Sequence, residues 1–172
     1  MATSQNNQEI DPLKIPDGSH YRVGMVVSEW HPQITKNLEN AAKEVFKLSG
    51  IKPENLHIIE VPGSYELIAG AQMLLENRMV DAVVCLGCII RGETSHFEYI
   101  SGAVSLSLSQ LAIQYTKPII FGVLTTENME QAQNRSGGKM GNKGADSALT
   151  ALKMIHLKNS LIKSKNIPVG FL

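Results

Sequence analysis

The chain has 172 residues, with 16 Lys and Arg against 16 Asp and Glu, so its formal net charge is zero and gives no overall attraction to nucleic acid or membranes. With 43% hydrophobic residues, this length supports one domain with its own core. The longest apolar stretch, residues 82–90, is far shorter than the roughly 20 residues of a membrane helix, and the N-terminus shows no secretory leader pattern. We therefore expect a soluble, cytoplasmic protein.

The charges are unevenly divided along the chain. Residues 1–133 carry nine basic and fifteen acidic side chains, whereas residues 134–172 carry seven basic side chains and one acid, Asp146. Residues 134–170 contain no Phe, Tyr or Trp on which nucleic-acid bases could stack, which argues against a nucleic-acid partner. The basic stretch instead favours an anionic small substrate, or pairing with an acidic surface of a neighbouring subunit.

Residues 1–20 are polar and without periodicity, which predicts a flexible or draped N-terminal arm ahead of one domain spanning residues 21–172. Short apolar runs then alternate with longer segments of helical spacing. The predicted strands are 22–28, 56–61, 82–90 and 118–125, and the predicted helices are 33–48, 65–77, 96–115 and about 145–164. Such alternation predicts an α/β fold, with a parallel four-stranded sheet covered by helices on both faces.

Open α/β sheets bind ligands outside the carboxyl ends of their strands. Polar and aromatic residues follow the predicted strands, and the aromatic ones include Trp30 and Tyr65. Their two rings could flank one planar heterocycle, or they could pack in a subunit interface. Glu66 could bind ring N–H groups, or it could be an exposed acid in the first turn of a helix.

His96 is the sharpest candidate for acid–base chemistry. The residues from Ser95 to Glu98 fit a capping box, which would place His96 in the first turn of a helix. The positive end of a helix favours the neutral imidazole, which can accept a proton. The alternative is a solvent-exposed histidine with no chemical role.

Residues 135–144 combine four glycines with Arg135, Lys139 and Lys143. Glycines let backbone N–H groups approach a ligand, and the cations would neutralise an anion such as phosphate, with a helix beginning near Ala145. The spacing does not fit a P-loop, so nucleotide hydrolysis is not indicated. A flexible basic loop remains the alternative reading.

Cys85 and Cys88 are three residues apart on one predicted strand. Side chains alternate along a strand, so these two thiols would point to opposite faces and could share neither a metal nor a disulfide. We expect buried, inert thiols and no metal site.

Four segments, VVSEWHPQIT, VPGSYELI, LGCIIRGETSHFEYI and FGVLTTENMEQAQNRSGGKMGNKG, closely resemble the lumazine synthase family in their order and spacing. The resemblance implies a flavodoxin-like three-layer sandwich. It also implies condensation of 5-amino-6-(D-ribitylamino)uracil with 3,4-dihydroxy-2-butanone 4-phosphate, without cofactor or metal. The products would be 6,7-dimethyl-8-ribityllumazine, phosphate and water, in the penultimate step of riboflavin biosynthesis.

The resemblance also implies roles for individual residues. His96 matches the proton-transfer histidine and Arg135 the phosphate-binding arginine, while Phe121 and Lys143 match positions contributed by an adjacent subunit. The remaining matches contact the two substrates, and they are Trp30, Ser64, Tyr65, Glu66, Cys88, Ile89, Ile90, Glu93 and Thr94.

The chain departs from the usual family residues at a few positions. Trp30 and Tyr65 stand where phenylalanine is commoner, which implies altered affinity for flavin-like ligands, riboflavin included. His31 stands where Asn is frequent, and Asn134 stands where a Glu often precedes the arginine, so no acid–base role is expected at residue 134.

The family resemblance implies a homopentamer, alone or within a 60-subunit icosahedral shell, with riboflavin synthase as a partner. No extra residues follow Arg135, which favours the shell over a single pentamer. Two alternatives are a flavin- or pterin-binding protein without catalysis and a protein that only forms a cage.

Overall fold

Four strands form a parallel sheet: β1 (Val23–Ser28), β2 (Leu56–Val61), β3 (Ala82–Ile90) and β4 (Ile119–Thr126). The computed structural model describes residues 14–165, and side chains as far as residue 162. The strand order is β2-β1-β3-β4, with Val23 of β1 opposite both Leu56 and Ala82. The predicted four-stranded parallel sheet is confirmed, and each strand lies close to its predicted bounds.

Five helices accompany the strands within the described residues: α1 (Pro32–Leu48), α2 (Leu67–Asn77), α3 (His96–Tyr115), α4 (Met129–Arg135) and α5 (Lys143–Lys165). A short 3₁₀ turn, Pro53–Asn55, precedes β2. The structure begins α2 later than predicted, because residues 64–66 form a turn in which the Leu67 N–H points to the Ser64 carbonyl oxygen at 3.4 Å. The first turn of α5 starts earlier than predicted, since the Asn142 side chain accepts a hydrogen bond from the Gly144 N–H at 2.9 Å.

The helices lie in two layers, one on each face of the sheet. On one face α1 and α5 bury side chains such as Phe46 and Leu152, and on the other α2 and α3 bury Leu67 and Leu108. Successive residues of the central strands alternate between these layers, as side chains of a strand do. The result is the predicted three-layer α/β architecture, buried on both sides of the sheet.

The glycine-rich segment after β4 is more ordered than the predicted loop. It follows α4 and forms two short antiparallel strands, β5 (Ser136–Gly138) and β6 (Gly141–Asn142). Gly137 and Gly141 have φ angles of 118° and 76°, which residues other than glycine rarely adopt. The turn geometry of this hairpin therefore accounts for both glycines without a ligand.

The predicted N-terminal arm falls partly outside the described residues, which begin at residue 14. Within the described part, Ile15 packs against the α1–α5 core, and the Gly18 N–H donates to the Ser49 carbonyl oxygen at 2.7 Å. The apolar end, residues 167–172, lies outside the described range. In the part of the chain that is described, no helix is both long and apolar enough to cross a membrane.

Candidate functional site

A cleft of about 580 Å³ lies at the carboxyl ends of β1, β2 and β3, where the topology predicts a ligand. Most of the residues that the sequence predicts to contact the two substrates line it. The lining consists of Trp30, His31, Gly63, Ser64, Tyr65, Glu66, Cys88, Ile89, Ile90, His96, Tyr99 and Ile100. Apolar and aromatic side chains dominate this lining, with a few polar groups among them, as in many small-molecule sites.

The connection from β1 to α1 presents Trp30 and His31 at the cleft mouth. Their rings meet edge to face with centroids 6.2 Å apart, and Trp30 is 68% exposed. His31 caps α1 with φ 57° and ψ 58°, a left-handed conformation that asparagine and histidine adopt more readily than most residues. Histidine is therefore a residue type suited to this backbone conformation, and Trp30, directly before it, lines the cleft.

The turn between β2 and α2 supplies Ser64, Tyr65 and Glu66. Ser64 is buried, and its hydroxyl lies 3.5 Å from the Cys88 carbonyl oxygen. Tyr65 is 55% exposed and lines the cleft together with Trp30. A flat heterocycle could therefore stack in the cleft, with the Glu66 carboxylate available to accept hydrogen bonds from it.

His96 begins α3, as predicted, but the predicted capping box does not form. Ser95 is the N-cap residue, yet its side chain makes no capping hydrogen bond. The Glu98 carboxylate instead pairs with Arg91, and that hydrogen bond lowers the pKa of Glu98. The prediction of a capping box is wrong because Arg91, which lies outside the helix, binds the Glu98 side chain.

Tyr99 and Ile100 line the cleft but were absent from the predicted site. Tyr99 follows His96 by three residues on α3 and is 77% exposed. Helix residues three or four apart share a face, so the spacing from His96 could have identified both. His31 and Gly63 also belong to the lining, next to the predicted Trp30 and Ser64.

Five predicted residues do not line this cleft. Glu93 and Thr94 are exposed in the loop before α3, and the Thr94 hydroxyl accepts a long hydrogen bond of 3.4 Å from the His96 N–H. Phe121 lies on β4 and packs against the α2–α3 core. Arg135 ends α4 and Lys143 begins α5, both outside the lining.

Neighbouring residues of the chain hold the Arg135 guanidinium. Its Nη1 donates to the Met140 carbonyl oxygen at 2.7 Å, and its Nη2 lies 3.8 Å from Asp146 Oδ2. The second distance exceeds hydrogen-bonding range, so the interaction is a partly exposed ion pair. Arg135 is thus oriented by the hairpin and α5 but does not meet His96 in the cleft of its own chain.

Cys85 and Cys88 are buried and free, and they pack into opposite layers, Cys85 beside α2 and α3 and Cys88 beside α1 and α5. Burial raises the pKa of Cys85 to about 12 and that of Cys88 to about 11. Among residues 14–165, moreover, no group of three or more His, Cys, Asp or Glu side chains could hold a metal ion. The thiols are therefore protonated near neutral pH and are poor nucleophiles or metal ligands.

We expect iodoacetamide to alkylate both cysteines far more slowly in the folded protein than in urea. At pH 8.5 about half of an unfolded thiol is thiolate, whereas a pKa of about 11 leaves below about one part in a hundred. Mass spectrometry of labelled peptides would measure the two rates. Equal rates in folded and unfolded protein would contradict the assignment of both as inert thiols.

The chain is similar along most of its length to known proteins of one family. The sequence model of the 6,7-dimethyl-8-ribityllumazine synthase family matches residues 20–159. The 6,7-dimethyl-8-ribityllumazine synthase of Parabacteroides distasonis is 45% identical over 157 residues, covering 91% of this chain and 98% of that protein. Its counterpart from Cytophaga hutchinsonii is 47% identical over 155 residues, covering 90% and 98%.

A third enzyme of the same name, from Phocaeicola vulgatus, is 39% identical over 166 residues, covering 96% of this chain and 99% of that protein. The matches span the cleft, α4 and the hairpin together, so they extend over all the elements that carry the predicted site. On these grounds, the chain belongs to the 6,7-dimethyl-8-ribityllumazine synthase family.

Proposed function

We propose that the protein condenses 5-amino-6-(D-ribitylamino)uracil with 3,4-dihydroxy-2-butanone 4-phosphate to give 6,7-dimethyl-8-ribityllumazine, phosphate and water. The observation that carries this proposal is the cleft itself. Trp30, Tyr65, Glu66 and His96 come from three separate connections and line one site suited to a flat, hydrogen-bonding heterocycle. Membership in the family supports the same reaction.

The chemistry has three stages that balance without an oxidant or a metal. The 5-amino group attacks the ketone carbon, and the resulting carbinolamine loses water to form an imine. Removal of the proton from the next carbon expels phosphate, which leaves with the electron pair of its C–O bond. After the resulting enol becomes a ketone, the ribitylamino nitrogen attacks it, and loss of a second water closes the ring.

The residues lining the cleft divide this work. Trp30 and Tyr65 stack on the pyrimidine, and Glu66 accepts hydrogen bonds from its N–H groups. Ser64, Cys88, Ile89 and Ile90 form the floor beneath it, and the imidazole of His96 carries protons between the reacting carbon and nitrogen atoms.

A second copy of the chain completes the site in this proposal. Arg135 binds the phosphate through its guanidinium, and Phe121 and Lys143 lie beside the same substrate. Support comes from the fact that all three residues lie outside the cleft lining of their own chain, although they belong to the segments that resemble the family. Glu93 and Thr94, in the exposed loop ahead of His96, would meet the butanone phosphate at this junction.

The family resemblance favours a ring assembly, in which each copy completes the site of its neighbour. We place the chain in a homopentamer, alone or as part of a 60-subunit icosahedral shell, working in the cytoplasm with riboflavin synthase as the consumer of its product. Sedimentation of the purified protein distinguishes the two assemblies by mass.

The direct test mixes purified protein with both substrates and follows lumazine absorbance and fluorescence against a protein-free blank. We expect acceleration over the blank, with a product that co-elutes with authentic lumazine. Omission of either substrate is the control for fluorescence from bound flavin. An assembled, folded protein that gives no acceleration would overturn the proposed reaction.

A further inference from the structure

Arg91 is the first residue after β3, and it contacts two other segments at the edge of the sheet. Its Nη1 donates to the Glu98 carboxylate in the first turn of α3. Its Nε donates to Glu127 Oε2, in the connection after β4, at 2.6 Å. Its guanidinium carbon lies 4.2 Å from the centroid of the Phe97 ring. One side chain therefore joins the start of α3 to the end of the sheet.

Arg91 is itself well anchored. Its backbone N–H donates to the Thr126 carbonyl oxygen at 2.9 Å, which continues the β3–β4 ladder by one residue. The fork of the guanidinium has a fixed geometry, so a contact to Glu127 on one side also sets the direction of the contact to Glu98 on the other. Arg91 thereby links the first turn of α3 to the rigid sheet.

The loop that leads into α3 has few other constraints. Residues 92–95 are exposed, the Ser95 side chain makes no cap, and the His96 N–H reaches Thr94 Oγ1 only at 3.4 Å. The fully buried residues of α3 lie further along the helix, at Val104, Leu108 and Leu111, whereas Phe97 and Ile100 near its start are only partly buried against the α2–α3 core. Phe97 and Glu98, which immediately follow His96, are the residues of α3 that Arg91 contacts.

The network is poorly explained as a source of stability or as an anion site. All three charged side chains are partly exposed, and ion pairs of that kind contribute little to folding. Two carboxylates already compensate the single charge of Arg91, which disfavours binding of a phosphate there. A positional role remains, because small displacements of a catalytic group reduce the rate strongly.

We propose that Arg91 is a positioning residue that holds the first turn of α3 so that the His96 imidazole stays directed into the cleft. The inference rests on the proposed function, in which His96 transfers protons. Arg91 acts through Glu98 and Phe97 on one side and through Glu127 on the other, and it touches no substrate.

The test compares Arg91→Met, Glu98→Gln and Arg91→Lys with the unmodified protein. We expect Arg91→Met and Glu98→Gln to lower kcat about tenfold while both KM values stay within about twofold. Arg91→Lys keeps the charge but lacks the fork, so it should restore only part of the rate. The matched control is Glu44→Gln, which removes the exposed ion pair with Lys47 on α1 and should leave kcat unchanged.

A double variant shows whether Arg91 acts through His96. In a His96→Ala protein, adding Arg91→Met should lower the rate less than twofold, since the group to be positioned is already gone. Multiplying effects would overturn the proposal, because they would mean that Arg91 contributes to the reaction directly. A kcat for Arg91→Met equal to that of the unmodified protein would also overturn it.

Hydrogen exchange gives a readout that does not depend on activity. Arg91→Met should raise the exchange rates of the first hydrogen-bonded amides of α3, those of residues 99–102, several-fold and leave the amides of α1 unchanged. Glu44→Gln should leave both regions unchanged. Unchanged exchange at residues 99–102 in Arg91→Met would contradict the proposal even if the unmodified protein proved inactive. An inactive unmodified protein with the expected exchange would instead overturn only the proposed reaction.

Discussion

Replacing Arg135 with alanine is expected to slow lumazine formation by about a hundredfold or more, whereas replacing His96 with alanine is expected to slow it by about tenfold. The ordering follows from the chemistry. Water can take over part of the proton transfer once both substrates are held together. Lys143, beside the same substrate, offers only a point charge and does not replace the planar fork with which the guanidinium binds the phosphate and stabilises it as it leaves. Steady-state kinetics of the two variants measures the order, and the reverse order would contradict it.

Mixing the two variants tests whether two chains share one site. If Arg135 comes from a neighbouring chain, dissociating and reassembling equal amounts of Arg135→Ala and His96→Ala protein should recover roughly one quarter of the unmodified activity. Random neighbours would rebuild an intact site at about that frequency. If both residues served the same chain, the mixture would show only the average of the two variants.

Replacing Gly144 with alanine is expected to have the largest effect on stability. A Cβ at this buried position would lie 2.0 Å from the Leu38 carbonyl oxygen and 2.7 Å from the Leu38 Cα. Backbone atoms cannot move aside as a flexible side chain can, so α1 and α5 would have to separate. We expect the free energy of unfolding to fall by about 3 kcal/mol or more.

Denaturant unfolding at fixed protein concentration would measure the effect of Gly144→Ala, because dissociation also shifts the midpoint of an oligomer. The control is Gly102→Ala in α3, where an added Cβ meets nothing within 4 Å and alanine favours the helix. That variant should unfold at an unchanged or higher denaturant concentration. Similar midpoints for the two variants would show that the α1–α5 approach is not the constraint at Gly144.

The strands and long helices could be predicted because their signals are local. Helices on both sides of the sheet bury both faces of β3, and a strand buried on both faces has a continuous run of apolar residues. The position of the cleft followed from topology alone, since carboxyl ends of parallel strands share one edge. Trp30, Ser64, Tyr65 and His96 were placed together for this reason.

Other features depend on contacts between distant residues. The side chain of Glu98 pairs with Arg91, which lies outside α3, so the local sequence pattern predicted a capping box that does not form. The hairpin after α4 was not predicted because its glycines also suit an anion-binding loop, and only the pairing of Ser136 with Asn142 and of Gly138 with Gly141 identifies the hairpin. The relation of Arg135 to the cleft depends on the arrangement of whole elements, which residue patterns do not encode.

The strand order described above also bears on how the chain is synthesised. β1 leaves the ribosome first, but it is a central strand whose neighbours are β2 and β3, and the β3 partner of Val23 is Ala82. Until that distant partner has emerged, an almost wholly apolar strand presents an unpaired edge. The nascent chain is therefore prone to aggregation until the central strands of its sheet have paired. During that interval a chaperone that shields extended apolar segments would raise the yield of native protein.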